Sequence, residues 1–103
     1  MRKARVFVHG IEAGILSETK QGSEYLFEYP EGYDGPEVSR TMMPSQKRYV
    51  FNQFPPFFEG LLPEGIQLEG LLKLSKIDRN DLFSQLMTVG DDVVGAVTVK
   101  EIK

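Results

Sequence analysis

The sequence lacks several residue types on which common active sites depend. Among 103 residues there is no cysteine and no tryptophan, and there is a single histidine, His9. The missing cysteines exclude disulfides and thiol chemistry, and one imidazole is too few for the usual zinc ligand sets. We therefore predict no metal and no cofactor.

Long hydrophobic runs are also missing. No stretch reaches the roughly 18 apolar residues of a membrane-spanning helix, and Val6-Phe7-Val8 is too short for the core of a signal peptide. We therefore expect a cytoplasmic protein with no membrane partner. The net charge is −3, which argues against nucleic acid as the main partner. The length is that of one domain, so we expect a single domain over residues 1–103.

Residues 51–72 combine acidic and apolar side chains and contain no lysine or arginine. Their charged residues are Glu59, Glu64 and Glu69, among ten large apolar residues. That number is more than the buried face of one short helix requires. Two interpretations stay open: most of these residues form the core, or some face a partner across an apolar patch. An acidic segment of this kind fits a basic partner surface.

The periodicity of apolar residues predicts an α+β domain. A three-stranded meander is predicted over residues 2–8, 11–17 and 24–29, with turns at 9–10 and 20–23. A short strand is expected at 37–43, and a last strand at 93–99. Two to three helices lie between them: from the prolines at 55–56 to Pro63, around 68–76, and from the N-cap Asn80 to Gly90. Strands, then helices, then a strand indicate a small antiparallel or mixed sheet.

Motifs of known catalytic chemistry are missing from the sequence. It has no dinucleotide fingerprint or phosphate-binding loop, and none of its serines lies in a nucleophile elbow. Tyr25, Phe27 and Tyr29 alternate as in platforms for single-stranded nucleic acid, but no basic cluster accompanies them, so a core role is favoured. The residues themselves indicate a binding or scaffold domain and not an enzyme.

Four blocks in the second half occur in the order found in a known family. They are VFN at 50–52, FEGLLPEG at 58–65, DLFSQL at 81–86 and VGDDVVGAVTV at 89–99. In this order they resemble the N-terminal subdomain of HipA-like serine/threonine kinases, and the opening hairpin also fits. The resemblance implies the fold of that subdomain for essentially the whole chain.

The resemblance also implies a function. A HipA-like kinase would continue past Val99 into its ATP-binding core, whereas this sequence ends at Lys103, so no catalytic or nucleotide-binding residue is carried over. A free-standing copy resembles the HipS antitoxins of HipBST toxin–antitoxin modules. That implies binding and inhibition of a shortened HipA-like kinase, HipT, in a complex with the DNA-binding helix-turn-helix protein HipB. The alternative is the isolated structural subdomain of a full-length kinase, with no inhibitory role.

Candidate contacts for the kinase lie between two predicted helices. They are Leu62, Pro63, Glu64, Gly65, Ile66 and Gln67, with Phe57 as a secondary candidate. Within this segment Pro63 and Gly65 shape the backbone, Glu64 supplies charge, and Ile66 is unusually apolar for a solvated turn. The alternative is a helix–helix corner with Ile66 tucked into the core.

Three phenylalanines occur within five positions and cannot share one helical face. We therefore predict Phe54 and Phe58 as the core pair and Phe57 for the surface or a partner. Two routes of inhibition stay open: shielding of the kinase active site by a loop, or a shift of the kinase toward an inactive conformation.

Overall fold

A computed structural model describes residues 1–93 and 95–103. Its elements are β1 (Arg2–Val8), β2 (Ile11–Lys20), β3 (Glu24–Glu28), β4 (Arg48–Phe51), α1 (Pro56–Glu59), α2 (Gly65–Ser75), α3 (Leu82–Val89) and β5 (Val97–Ile102). The strands form one antiparallel sheet in the order β4-β3-β2-β1-β5. The predicted α+β fold, with its N-terminal meander and C-terminal strand, is confirmed. None of the helices in the described segments is long and apolar enough to cross a bilayer.

The β1–β2 hairpin follows directly from local sequence. His9 and Gly10 have φ of 51° and 81°, and positive φ at both central residues gives the turn a twist that matches the flanking strands. Alternation then decides which β1 side chains enter the core. Those buried on the inner face are Ala4, Val6 and Val8.

The core lies between one face of the sheet and helices α1 and α3. Phe27 is fully buried and its ring centroid lies 6.0 Å from that of Phe58 on α1. Tyr25 meets Phe54 edge-on at 5.3 Å. The core roles predicted for the alternating aromatic strand and for the Phe54–Phe58 pair are therefore confirmed. Phe83 and Leu86 of α3 complete the same cluster.

The predicted strand at 37–43 is wrong. Ser39 and Met42 form only an isolated bridge, and the loop is held by a side chain. The Tyr29 hydroxyl accepts a hydrogen bond from the Val38 amide and donates one to the Met42 carbonyl. The ladder position beside β3 is taken by β4, which the sequence analysis missed because four residues give too short an alternation to recognise.

Helix boundaries also differ from prediction. Helix α1 ends at Glu59 and not at Pro63, because a glycine follows and the next two amides bond to carbonyls three residues back. The N-cap of α3 is Asp81, one residue after the predicted Asn80. Its carboxylate accepts the Ser84 amide at 3.1 Å, as a capping side chain should.

The last strand begins at Val97, later than predicted. Gly95 precedes it with φ of +121°, a conformation that only glycine adopts readily; the predicted strand residue Val94 lies outside the described residues. Gly90 is the C-cap of α3 as predicted. It also lets α3 approach β5 closely, because a Cβ there would collide with the carbonyl oxygen of Val99.

Candidate partner-binding site

The predicted contact residues fall into two groups in the structure. Phe57, Leu62 and Pro63 are half-buried, and the first two pack against the core. The remaining four, at positions 64–67, are exposed. The Phe57 ring lies edge-on to Phe58 with centroids 5.3 Å apart. Its removal would therefore disturb the domain as well as a contact, which makes it a poor probe of binding.

The exposed group forms the start of α2. Glu64 is the N-cap but makes no side-chain capping hydrogen bond. Gly65 follows with φ of +60°, which sets the direction in which the helix leaves the turn. Ile66 is 90% exposed, so the alternative that places it in a buried corner is wrong.

An apolar stripe continues from Ile66 along the outer side of α2. Residues four apart share a helical face, and Ile66, Gly70 and Leu74 are spaced in this way. Leu74 is 86% exposed. A Cβ added at Gly70 would meet nothing within 4 Å, so the stripe has an open gap between two large side chains. We call these three residues the α2 stripe.

Gly70 and Leu74 were not predicted as site residues, although both lie within the helix expected around 68–76. Of the four leucines in that range, Leu68, Leu71 and Leu72 are half-buried and Leu74 is exposed. The spacing of four from Ile66 was the available signal. None of the eleven residues of α2, all of which are described, is buried. The helix therefore carries apolar side chains on both sides, and its own domain covers only one.

Helix α2 has few polar contacts with the rest of the described residues. The helix ends at Lys76, which has φ of 53° and donates its amide to the Leu72 carbonyl. An exposed ion pair joins Glu69 to Arg79 with an N···O distance of 2.5 Å. Exposed pairs of this kind contribute little to stability. The helix is thus presented at the surface with few fixed contacts.

A partly buried polar network joins α3 to the sheet through several hydrogen bonds. Glu18 on β2 is 4% exposed and accepts two hydrogen bonds from Arg2 on β1, at 2.7 and 2.9 Å. The same guanidinium donates to Asp81 at 2.9 Å and to Ser84 at 2.8 Å. It also lies 4.9 Å from the centroid of the Phe83 ring. One side chain thus joins two strands to the N-terminus of α3.

The ionised forms of this network are favoured. The hydrogen bond to Glu18 is the main cause that raises the pKa of Arg2, and the Arg2 hydrogen bond lowers the pKa of Glu18. Burial acts to raise the pKa of Asp81, but hydrogen bonds from Arg2 and Ser84 outweigh it and leave the pKa below its ordinary value. Sequence reasoning missed the network because Arg2 and Asp81 are 79 positions apart.

A groove of about 700 Å³ opens beside the network, lined by Arg2, Glu18, Tyr25 and Asp81 among others. Within the described residues every buried side-chain nitrogen and oxygen has a hydrogen-bond partner. The carboxylates are therefore occupied by the domain's own donors. We interpret the groove as the surface of a structural clamp and the α2 stripe as the candidate binding site.

Comparison with known proteins assigns this fold to a family. A family model described as the HipA N-terminal domain matches residues 4–100. An uncharacterized protein of Haemophilus influenzae (strain Rd) is 30% identical over 103 residues, which are 100% of this chain and 95% of that protein. A solved structure titled "N-terminal domain of HipA toxin" superposes with a TM-score of 0.77 at 27% identity, covering 100% of this chain and 94% of that one. The chain therefore belongs to the family of HipA N-terminal domains.

Proposed function

We propose that this protein is an antitoxin of the HipS type, which binds a shortened HipA-like serine/threonine kinase and holds it inactive in the cytoplasm. The proposed role is binding, and the match to the N-terminal domain of HipA supports it. A HipB-like helix-turn-helix protein is the third component of the proposed complex.

The observation that carries the proposal is the α2 stripe. Ile66 and Leu74 are both more than four-fifths exposed on a helix that holds no buried residue. Exposed apolar side chains on a small domain mark sites of association, and an amphipathic helix face commonly enters a groove on its partner. The Haemophilus relative has nearly the length of this chain, which supports a stand-alone role for the domain.

The predicted contacts give the stripe a polar rim. Glu64 and Gln67 flank Ile66 at the N-terminus of α2, with Pro63 and Gly65 fixing the backbone before it. Half-buried Phe57 and Leu62 support this segment from the core. Inhibition then follows either from a loop that shields the kinase active site or from docking that favours an inactive conformation. A partner with a basic rim around an apolar groove fits these residues.

The test is co-expression with a shortened HipA-like kinase, scored by growth and by pull-down. We expect rescue of growth and a stable complex. Ile66→Asp and Leu74→Asp should each abolish rescue while circular dichroism stays native. The matched control is Ile11→Asp, which changes an exposed isoleucine on β2 and should leave rescue intact. Binding without rescue would overturn the inhibitory role, and equal loss in all three variants would overturn the site.

The solved neighbour titled as the N-terminal domain of HipA toxin favours a second candidate. In that case the domain is a structural subdomain of a full-length kinase and does not inhibit. The two differ in one experiment: a structural subdomain supplied in trans leaves kinase toxicity unchanged, whereas an antitoxin removes it. A kinase reading frame with its own start codon would favour the antitoxin.

A further inference from the structure

The second face of the sheet is uncovered in the part of the chain that the structure describes. Alternation turns one set of strand residues away from the helices. On β1 and β5 this set comprises Lys3, Arg5, Phe7, Thr98, Lys100 and Ile102, none of which is buried. We call these six residues the outer β1–β5 face. It lies on the opposite side of the sheet from the core that α1 and α3 cover.

This face is basic in a chain of net charge −3. Arg5 and Lys100 are direct partners in the β1–β5 register, and like charges opposite each other destabilise a sheet. Glu12 is 3.5 Å from Arg5, but Lys3 and Lys100 form no ion pair with any described residue. The six residues include no carboxylate. Glu12 therefore offsets part of the repulsion at Arg5, while Lys3 and Lys100 keep their charge without a carboxylate partner among the described residues.

Apolar side chains lie between these charges. Phe7 and Ile102 are half-buried on the face itself, with the Lys100 ammonium 5.8 Å from the centroid of the Phe7 ring. Ile15 and Leu26 extend the apolar surface onto β2 and β3. The solvated face of an antiparallel sheet is ordinarily polar, whereas this one also carries apolar side chains. An amphipathic helix would cover the apolar residues and place its flanks over the cations.

We propose that the outer β1–β5 face is a second docking surface, which receives an acidic amphipathic helix of a partner protein. Carboxylates beside the apolar stripe of that helix would neutralise Lys3, Arg5 and Lys100. Because this face and the α2 stripe are separate surfaces, the protein can hold two partner segments at once. The inference does not depend on the identity of the α2 partner.

The observations favour a protein segment over nucleic acid. Phe7 is the only aromatic residue of the face, whereas nucleic-acid platforms stack several bases on aromatic rings. The half-buried aliphatic residues gain from an apolar partner and not from phosphates.

The test is a titration of the isotope-labelled chain with a synthetic helical peptide that carries leucines on one face and glutamates on both flanks, followed by NMR. We expect amide shifts confined to β1, β5 and adjacent β2, and at least about tenfold weaker binding at high ionic strength. The double variant Lys3→Glu/Lys100→Glu should also lose at least about tenfold in affinity.

The matched control is Lys20→Glu/Lys47→Glu, which changes the net charge equally at exposed positions outside this face and should bind as the wild type does. A peptide of the same design with lysine for glutamate should not bind. Shifts on α2 instead of β1 and β5, equal losses in both double variants, or no binding would overturn the proposal. Tighter binding of duplex DNA to the same amides would also overturn it, in favour of a nucleic-acid surface.

Discussion

Helices α2 and α3 are neighbours in sequence but differ in burial, because α3 packs into the core and α2 lies at the surface. Helix α3 buries Phe83, Gln85 and Leu86 and begins at a capping aspartate. Helix α2 is longer, has no side-chain cap and buries nothing, yet it contains five large apolar residues. Apolar content alone therefore does not decide burial. Burial depends on whether the apolar residues of a helix lie on one side. It also depends on whether polar contacts, such as those of Arg2 with Asp81, hold that side against the sheet.

The apolar residues of the two helices differ in what surrounds them. The apolar residues of α3 fit this domain's own sheet, where they meet Val6, Phe27 and Val99 in one cluster. The two large side chains of the α2 stripe, Ile66 and Leu74, lie almost entirely in water. Because these side chains remain available to a partner, we proposed the binding site on this helix.

The largest difference between the two helices should appear on truncation of their apolar side chains. Phe83→Ala removes a fully buried ring of α3 and should lower the free energy of unfolding by about 3–5 kcal/mol. Leu74→Ala on α2 should change it by less than about 0.5 kcal/mol. Urea denaturation followed by circular dichroism measures both. Similar losses in the free energy of unfolding for the two variants would contradict the claim that α3 is packed into the core and α2 is not.

The second largest difference in stability is expected between substitutions of Arg2, which holds α3, and of Arg79, which holds α2. Arg2→Met leaves the carboxylate of Glu18 buried without its main donor, and we expect a loss of about 2 kcal/mol. Arg79→Met breaks only the exposed pair with Glu69 and should cost less than about 1 kcal/mol. Thermal unfolding of the matched pair checks this. A larger loss for Arg79→Met would mean that α2 is fastened more tightly than its contacts indicate.

Lowering the pH should destabilise α3 more than α2. The folded-state pKa values of Glu18 and Asp81 are lowered, so their stabilisation is complete at neutral pH and is lost as the pH falls below about 4. Amide exchange should then rise first in α3 and the β1–β2 hairpin. The variant Glu18→Gln/Asp81→Asn should be less stable at neutral pH but show a flatter pH dependence, and an unchanged slope would exclude these groups as the cause.

The smallest expected effect is a gain in stability and not a loss. Gly70→Ala places a methyl group in open space on α2 and replaces a poor helix former, so the domain should gain about 0.5–1 kcal/mol. The same methyl fills the gap in the α2 stripe and should weaken kinase binding. Denaturation and the pull-down measure the two effects separately. A stabilised variant with undiminished binding would show that the partner does not approach Gly70.

Several features could be read from the sequence because they depend on neighbouring residues. The β1–β2 hairpin, the alternation of Tyr25 and Phe27, and Gly90 at the end of α3 were all predicted from local patterns. The start of β5 and the N-cap of α3 were displaced from their predicted positions, but the largest errors concerned the shortest elements, the missed strand β4 and the end of α1. Four residues carry too little periodicity to distinguish a strand or helix from a loop.

For the candidate site, the sequence located the turn before α2 but not the stripe that follows it. Glu64, Ile66 and Gln67 were selected from their position and residue type. Leu74 was not, because a helical periodicity cannot tell which of two apolar faces the rest of the chain will cover.

The sequence by itself thus determined the order of the meander and the aromatic core, since each follows from spacings of a few residues. The family fold was indicated by the resemblance of the ordered sequence blocks to HipA-like kinases. Only the tertiary structure decided that Arg2 would bridge Glu18 to Asp81, that the outer β1–β5 face would collect unpaired cations, and that Ile66 and Leu74 would remain in water. The physical reason is distance along the chain. Contacts between residues tens of positions apart arise from how the sheet and helices assemble, and no local pattern encodes them.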